Sequence, residues 1–216
     1  EVSRGCGRRC AFCLTRGDSG GERRAPGAAV WARIPAEAPR VGFVGAAVSD
    51  HPEIRSLVAA AVARGQEVGL SSLRADRLDD ELVALLVAGG LRTLTVAADA
   101  ASERLRRTVR KGVAADHLRG AAELTARHRL HALKVYTMIG LPGEEDADIA
   151  EWIALCQGLS RVCRLVINVN PFVPKRRTPL AAADMAPLPT LERRLADIRR
   201  GLADRVEVRA PSLRWA

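Results

Sequence analysis

The sequence predicts an α/β fold: a partial (βα)6 TIM-like barrel with a parallel sheet inside and helices outside. Two observations carry this. Short apolar runs such as Val41-Gly-Phe-Val-Gly45 alternate with amphipathic stretches of helical length, and continuous apolar strands separated by helices are the pattern of a parallel sheet covered on its faces. Six such strand–helix units fit into 216 residues, whereas a closed barrel of eight takes about 250. A doubly wound sheet is the alternative. In both architectures function gathers at the carboxyl ends of the strands.

The elements follow in order. Val2–Gly5 reads as a first strand, and residues 16–39, rich in Gly, Arg and Pro, as a long loop with room for one helical turn. Val41–Gly45 is a buried strand, followed by a helix over Pro52–Arg64 with Ser49 or Asp50 as its cap. Glu67–Ser71 is a strand and Asp79–Ala88 a helix stopped by Gly89-Gly90. The β-branched run Arg92–Ala97 is a strand leading into helices near Ser102–Val109 and Ala115–Arg127. Ala132–Ile139, Asp146–Gly158 and Cys163–Asn170 form strand, helix and strand, and Leu188–Leu202 is a last helix with Thr190 as candidate cap.

Composition narrows the class. Hydrophobic residues make up 48% and charged residues 27%, a globular balance, but aromatics are only 3%, so the core is built from Ala, Val, Leu and Ile. The net charge of +9 is almost all arginine. It is spread along the chain rather than clustered, so a nucleic-acid partner is not favoured. No apolar run approaches the roughly 20 residues of a membrane span, and no membrane association is expected. Five cysteines, three of them within eight residues, are not a disulfide framework, which makes the cytoplasm the expected compartment. The abrupt start, a strand-like EVSRG running into cysteines, leads us to expect one domain over residues 1–216 of a longer protein.

Cys6, Cys10 and Cys13 stand in C-x3-C-x2-C spacing directly after the first strand. Three thiolates on one short loop can enclose one metal centre, and thiolates are the ligands that iron–sulfur clusters require. Three ligands leave one iron of a four-iron cluster open to a small molecule, whereas a structural zinc site closes four ligands round the ion. The zinc alternative needs a distant fourth ligand such as His51, Cys156 or Cys163. Phe12 sets an apolar ring beside the presumed centre. Cys156 and Cys163 otherwise read as small buried residues, and the four histidines show no ligand spacing.

This motif, with an aromatic before its last cysteine, resembles the radical S-adenosylmethionine superfamily. The resemblance implies a 4Fe-4S cluster on the three cysteines and S-adenosylmethionine chelated to its open iron. Later strand ends extend it. Gly45 and Ala46 stand where the family binds the methionine amine, although this chain has one glycine and no glutamate there. Ser71 and Arg74 end the third strand and are candidates to face the ligand. Asp99 stands where an acid contacts the ribose, with a helix cap as its alternative, and Arg106 meets the methionine carboxylate in competition with Arg104 and Arg107. Ile139 and Gly140, in the segment MIGLPGE, match the strand whose backbone flanks adenine, and Glu144 and Glu145 would favour the next helix N-terminus. Asn168 and Asn170 share one strand face by period two and are candidates for the ligand side.

The stretches Val41–Pro52, Ser71–Asp76 and Asn170–Pro179 resemble radical enzymes with an upstream cobalamin-binding domain. The expected function is therefore cobalamin-dependent methyl transfer, cobalamin being held by a domain outside this chain. The resemblance also implies a small-molecule or peptide substrate and an electron donor such as flavodoxin or ferredoxin. Methylthiotransfer to tRNA or a ribosomal protein is the alternative enzyme, and a zinc- or nucleic-acid-binding module the alternative outside catalysis.

Overall fold

Along each central strand, fully buried residues alternate with half-exposed ones, so one face of the sheet is sealed and the other open. In the computed structural model, which describes residues 1–15, 21–203 and 205–213, strand β1 (Ser3–Arg4) pairs antiparallel with β2 (Arg23–Arg24). Strands β3 (Arg40–Phe43) and β4 (Glu67–Leu70) pair in parallel, as do β5 (Thr93–Ala97), β6 (Ala132–Ile139), β7 (Leu165–Pro171) and β8 (Val206–Arg209) in that order. Single backbone links join the ladders. Val2 N–H donates to the Val44 carbonyl at 2.8 Å, and Leu73 bridges to Val96 in parallel.

Helices fill the connections: α1 (Gly27–Trp31), α2 (Ile54–Ala63), α3 (Asp80–Ala88), α4 (Glu103–Thr108), α5 (Ala115–Arg127), α6 (Asp146–Ser160) and α7 (Leu188–Leu202). They cover the sealed face, where Leu94, Val96, Leu133, Val135, Ile167 and Val169 are fully buried with Leu118, Trp152 and Ile198 from the helices. Each such side chain contributes about 1.5–3 kcal/mol by leaving water, so this face decides which way every strand turns. The opposite, concave face carries Thr95, Lys134, Tyr136, Asn168 and Asn170, all only half-buried. The architecture is the expected α/β one, a parallel sheet with its helices on the outside.

Four details differ from the sequence expectation. The stretch 16–39 contains β2 and α1 beyond its first residues, while residues 16–20 lie outside the described ones. Helix α2 starts at Ile54 with no side-chain cap. Ser49 and Asp50 instead form a 3-10 turn over Val48–Asp50, and Asp50 is held by arginines. Helix α7 starts at Leu188 behind Pro187, which puts Thr190 inside its first turn. Finally, β8 adds a strand after the last helix, and its short run Val206–Arg209 is half polar, too weak a pattern to stand out.

Candidate functional site

The cysteine loop follows β1 at the carboxyl end of the sheet. Gly5, at φ +80°, turns the chain out of the strand. Arg8 N–H then donates to Cys6 Sγ at 3.4 Å and Cys13 N–H to the Cys10 carbonyl at 3.2 Å, closing the loop on itself. Arg8 anchors it from outside through a two-pronged grip on Asp50 at 2.9 Å for each contact. Desolvation pushes the Asp50 carboxyl up, but Arg8 with Arg74 and Arg77 outweighs it, and the group titrates below the usual carboxylate range. Inside, Ala11 N–H donates to the Val109 carbonyl and Leu180 N–H to the Ala11 carbonyl. All three thiols are free. Burial pushes the Cys10 thiol up, while the nearby cations Lys111 and Arg74 favour its thiolate.

The donor set fits an iron–sulfur cluster with an open iron. The proposed fourth zinc ligands are engaged or remote. His51 uses both ring nitrogens, on the Ala25 carbonyl at 2.9 Å and the Glu53 N–H at 3.1 Å. Cys156 is sealed within helix α6, and Cys163 precedes β7, at the opposite end of the sheet from the loop.

Beside the loop, a cavity of about 420 Å³ opens over the strand ends. Phe12 from the loop, Met138 from β6 and Phe172 after β7 form its apolar wall, and Ser72, Asp99, Tyr136, Asn170 and Lys175 its polar one. Asp99 is not a helix cap: that role belongs to Ser102, whose hydroxyl accepts the Leu105 N–H at 3.1 Å. Asp99 sits instead at φ +60°, stapled by its N–H to the Tyr136 carbonyl at 3.1 Å. Its carboxylate meets Lys111 Nζ at 2.5 Å, and both side chains are largely withdrawn from water. A strained backbone holding a paired acid in a cavity is the kind of geometry that functional sites retain.

Of the residues singled out from sequence, the structure brings Phe12 and Asp99 into this cavity beside Cys6, Cys10 and Cys13 on their loop. Asn168 lies on the same strand face as Asn170, one step below it. Ser71 gives way to its neighbour Ser72, which lines the cavity. Arg74 is buried and clamps Asp76 at 2.9 Å and the Lys111 carbonyl at 3.0 Å, so it supports the Lys111 segment from behind. Gly45 is pressed against β1, where a Cβ would meet Ser3 Oγ at 2.5 Å, and Ala46 is exposed beyond it.

Arg106 is taken out of the carboxylate role. It is 1% exposed, and its guanidinium donates to the carbonyls of Val113 at 2.8 Å, Ala101 at 2.9 Å and Ala100 at 3.3 Å. Arg104 is committed to Asp148 at 2.5 Å and Arg107 pairs with Glu103. Ile139 points into the core with its carbonyl taken by Phe172 N–H at 2.8 Å. Gly140, at φ +80°, packs under α7, where a Cβ would meet Leu191 Cδ2 at 2.5 Å. Its N–H donates to Glu144 at 2.6 Å. Thus Thr137 and Met138, earlier on the strand, border the cavity in their place. Glu144 does not serve the next helix either. It is buried against Arg194 at 2.6 Å, and desolvation raises its carboxyl to about 7.

Lys111 is the functional candidate that sequence reasoning missed. It stands behind four arginines between residues 104 and 110, and no spacing rule separates it from them. Tyr136 and Met138 were legible by period two from the sealed residues Val135 and Ile139.

A family model described as the Radical SAM superfamily matches residues 1–156. An uncharacterised protein of Methanocaldococcus jannaschii is 34% identical over 189 residues, covering 82% of this chain and 41% of that protein. The chain thus spans well under half the length of this relative. Among solved structures, Streptococcus suis SuiB bound to S-adenosylmethionine superposes with a TM-score of 0.67 at 16% identity, over 97% of this chain and 49% of that one. Coproporphyrinogen III oxidase (HemN) from Escherichia coli, described as a radical SAM enzyme, gives 0.59 at 12% identity, over 91% and 50%. At these identities the likeness is one of fold. Among the described residues no helix is long and apolar enough to cross a membrane.

Proposed function

The chain belongs to the radical S-adenosylmethionine superfamily, and from that premise we propose that its cysteine loop and the adjoining cavity together cleave S-adenosylmethionine reductively. One observation carries the reading: the three free thiols lie on a loop whose Phe12 forms the wall of a cavity also lined by Asp99, the partner of Lys111. Cys6, Cys10 and Cys13 would hold a 4Fe-4S cluster. When bound and reduced, such a cluster supplies the electron that splits the sulfonium of S-adenosylmethionine to a 5′-deoxyadenosyl radical.

The chain's own residues bind and orient. Lys111 offers an ammonium to the methionine carboxylate, and Asp99 accepts from the ribose hydroxyls, so the ion pair seen between them is exchanged for two contacts with the ligand. Phe12, Met138 and Phe172 keep water from the reacting end. Arg74 positions Lys111 through its carbonyl and Arg106 fixes the turn before α4. An electron donor such as flavodoxin or ferredoxin would serve the cluster.

For the overall reaction we propose methyl transfer linked to cobalamin, supported by the resemblance of residues 41–52, 71–76 and 170–179 to cobalamin-dependent members, with the corrin held by a domain outside residues 1–216. Product analysis by mass spectrometry on cobalamin-loaded full-length protein tests this. Methyl transfer yields S-adenosylhomocysteine together with 5′-deoxyadenosine. Deoxyadenosine alone, with substrate turned over, would reject methyl transfer and leave the cleavage reading standing.

A further inference from the structure

The concave wall beneath the cavity is not a packed barrel core. Barrel interiors are ordinarily filled by layers of bulky apolar side chains, yet here the row below Met138 and Asn170 runs Ala97, Tyr136, Asn168 and Arg209, and the one below that Thr95, Lys134, Val166 and Glu207. Lys134 belongs to this face by three observations. It alternates with the fully buried Leu133 and Val135, it shares its parity with Tyr136 and Met138, which line the cavity, and its ammonium stands 5.1 Å over the Tyr136 ring.

Lys134 is half-buried as a residue and has no carboxylate partner among the described residues. Its register neighbours are Thr95 and Val166, neither of which carries charge. Further along the same row Glu207 is engaged by Arg209 at 2.6 Å and Arg164 at 3.6 Å, and at the start of β4 Glu67 is taken by Arg40. A ring face supplies about 0.5–1 kcal/mol to a nearby cation, so this charge is left without a counter-ion.

The open face of the neighbouring β3–β4 ladder is bare. Gly42 and Gly69 are register partners on β3 and β4, with Val41, Phe43 and Val68 between them turned into the core. A Cβ at Gly42 would meet nothing within 4 Å, so neither packing nor backbone strain calls for glycine there. Glycine inside a strand costs β propensity, and where packing does not demand it, it leaves clearance for a ligand.

Resting on the reading of the cavity as the site of S-adenosylmethionine cleavage, we propose that this wall is the substrate chamber, that its substrate bears a carboxylate, and that Lys134 is the specificity-determining cation. Arg209, beside Asn168 on the same face, is held by Glu207 at 2.6 Å, so the remaining free donors are the Tyr136 phenol and the Asn168 and Asn170 amides. A single ammonium with neutral donors matches a carboxylate, whereas a phosphate is served better by a guanidinium fork or a helix N-terminus. Gly42 and Gly69 leave room for the rest of the molecule.

Tyr136 is the sole tyrosine of the sequence, so 3-fluorotyrosine labelling places one fluorine resonance in the chamber. Cluster-loaded protein is titrated with glutarate and, separately, with inorganic phosphate. Glutarate is expected to move the resonance saturably and at lower concentration than phosphate. Lys134→Gln should weaken glutarate roughly tenfold or more, the value of one charge-assisted contact. Gly42→Val, which suits a strand and has space for its Cβ, should keep the thermal midpoint and also weaken glutarate. An unmoved resonance, equal binding by wild type and Lys134→Gln, tighter binding of phosphate, or wild-type binding by Gly42→Val each overturns the proposal. Release of 5′-deoxyadenosine by the same wild-type preparation tests the underlying reading separately.

Discussion

Replacing Lys111 by Met separates the cation paired with the cavity residue Asp99 from the arginines around it. The Lys111 side chain is 10% exposed and its partner Asp99 19% exposed, so the contact is made largely out of water. At a solvent-exposed position such a pair contributes under about 1 kcal/mol, but in this setting loss of a charge-assisted bond costs roughly 1.5–3 kcal/mol. S-adenosylmethionine binding should therefore weaken by roughly 10- to 150-fold. Lys111→Arg should retain most of the affinity because the charge is kept. Arg106→Met should behave differently. It removes donors from three buried carbonyls, destabilises the fold by roughly 2–4 kcal/mol, and lowers the melting midpoint without a selective loss of ligand affinity. Calorimetry on anaerobically reconstituted proteins reads the affinities and scanning calorimetry the stabilities. Wild-type affinity in Lys111→Met, alongside a folded Arg106→Met protein that no longer binds, would refute the assignment and return the carboxylate to Arg106.

Three further outcomes follow from the geometry. Gly140→Ala should destabilise by roughly 1–3 kcal/mol, because φ is +80° and the new Cβ would lie 2.5 Å from Leu191 Cδ2; a melting midpoint equal to wild type would contradict the packing of the strand end under α7. Burial raises the Glu144 carboxyl to about 7, above its unfolded value of about 4.3. The folded state then holds the proton more tightly, so this group's contribution is full below about pH 4.3 and is lost as pH rises through about 7. Denaturant titrations should show wild-type stability falling across that window relative to Glu144→Gln, and parallel profiles would remove the buried carboxyl from the account. Cys156→Ala, in a fully buried site on α6, should cost roughly 1 kcal/mol and leave iron content unchanged; loss of iron would make it a ligand.

Much of this was legible because periodicity reports burial directly. The alternation in Ala132–Ile139 locates β6 and its sealed face at once, and the cysteine spacing needs no tertiary information to mark a thiolate loop. Residues whose role depends on which backbone groups lie nearby were not legible. Nothing in the local sequence tells that Arg106 reaches three carbonyls on either side of its own helix while Lys111 reaches Asp99. Gly45 and Gly140 both read as openings for a ligand, yet each is glycine because another element packs onto it, Ser3 in one case and Leu191 in the other. Glycine signals close approach without saying of what. Strand β8 escaped notice for a different reason: its concave residues Glu207 and Arg209 pair with each other, so the run lacks the apolar continuity of the central strands.

The most direct test of the central claim is anaerobic incubation of the reconstituted protein with dithionite and S-adenosylmethionine, followed by quantification of 5′-deoxyadenosine and methionine. Wild-type protein should release both in equal amounts, and the variant with Cys6, Cys10 and Cys13 all replaced by Ala should release neither and bind no cluster iron. Cluster absorbance retained by the triple variant, or wild-type protein that carries the cluster and yields no 5′-deoxyadenosine even with its substrate present, would contradict the account.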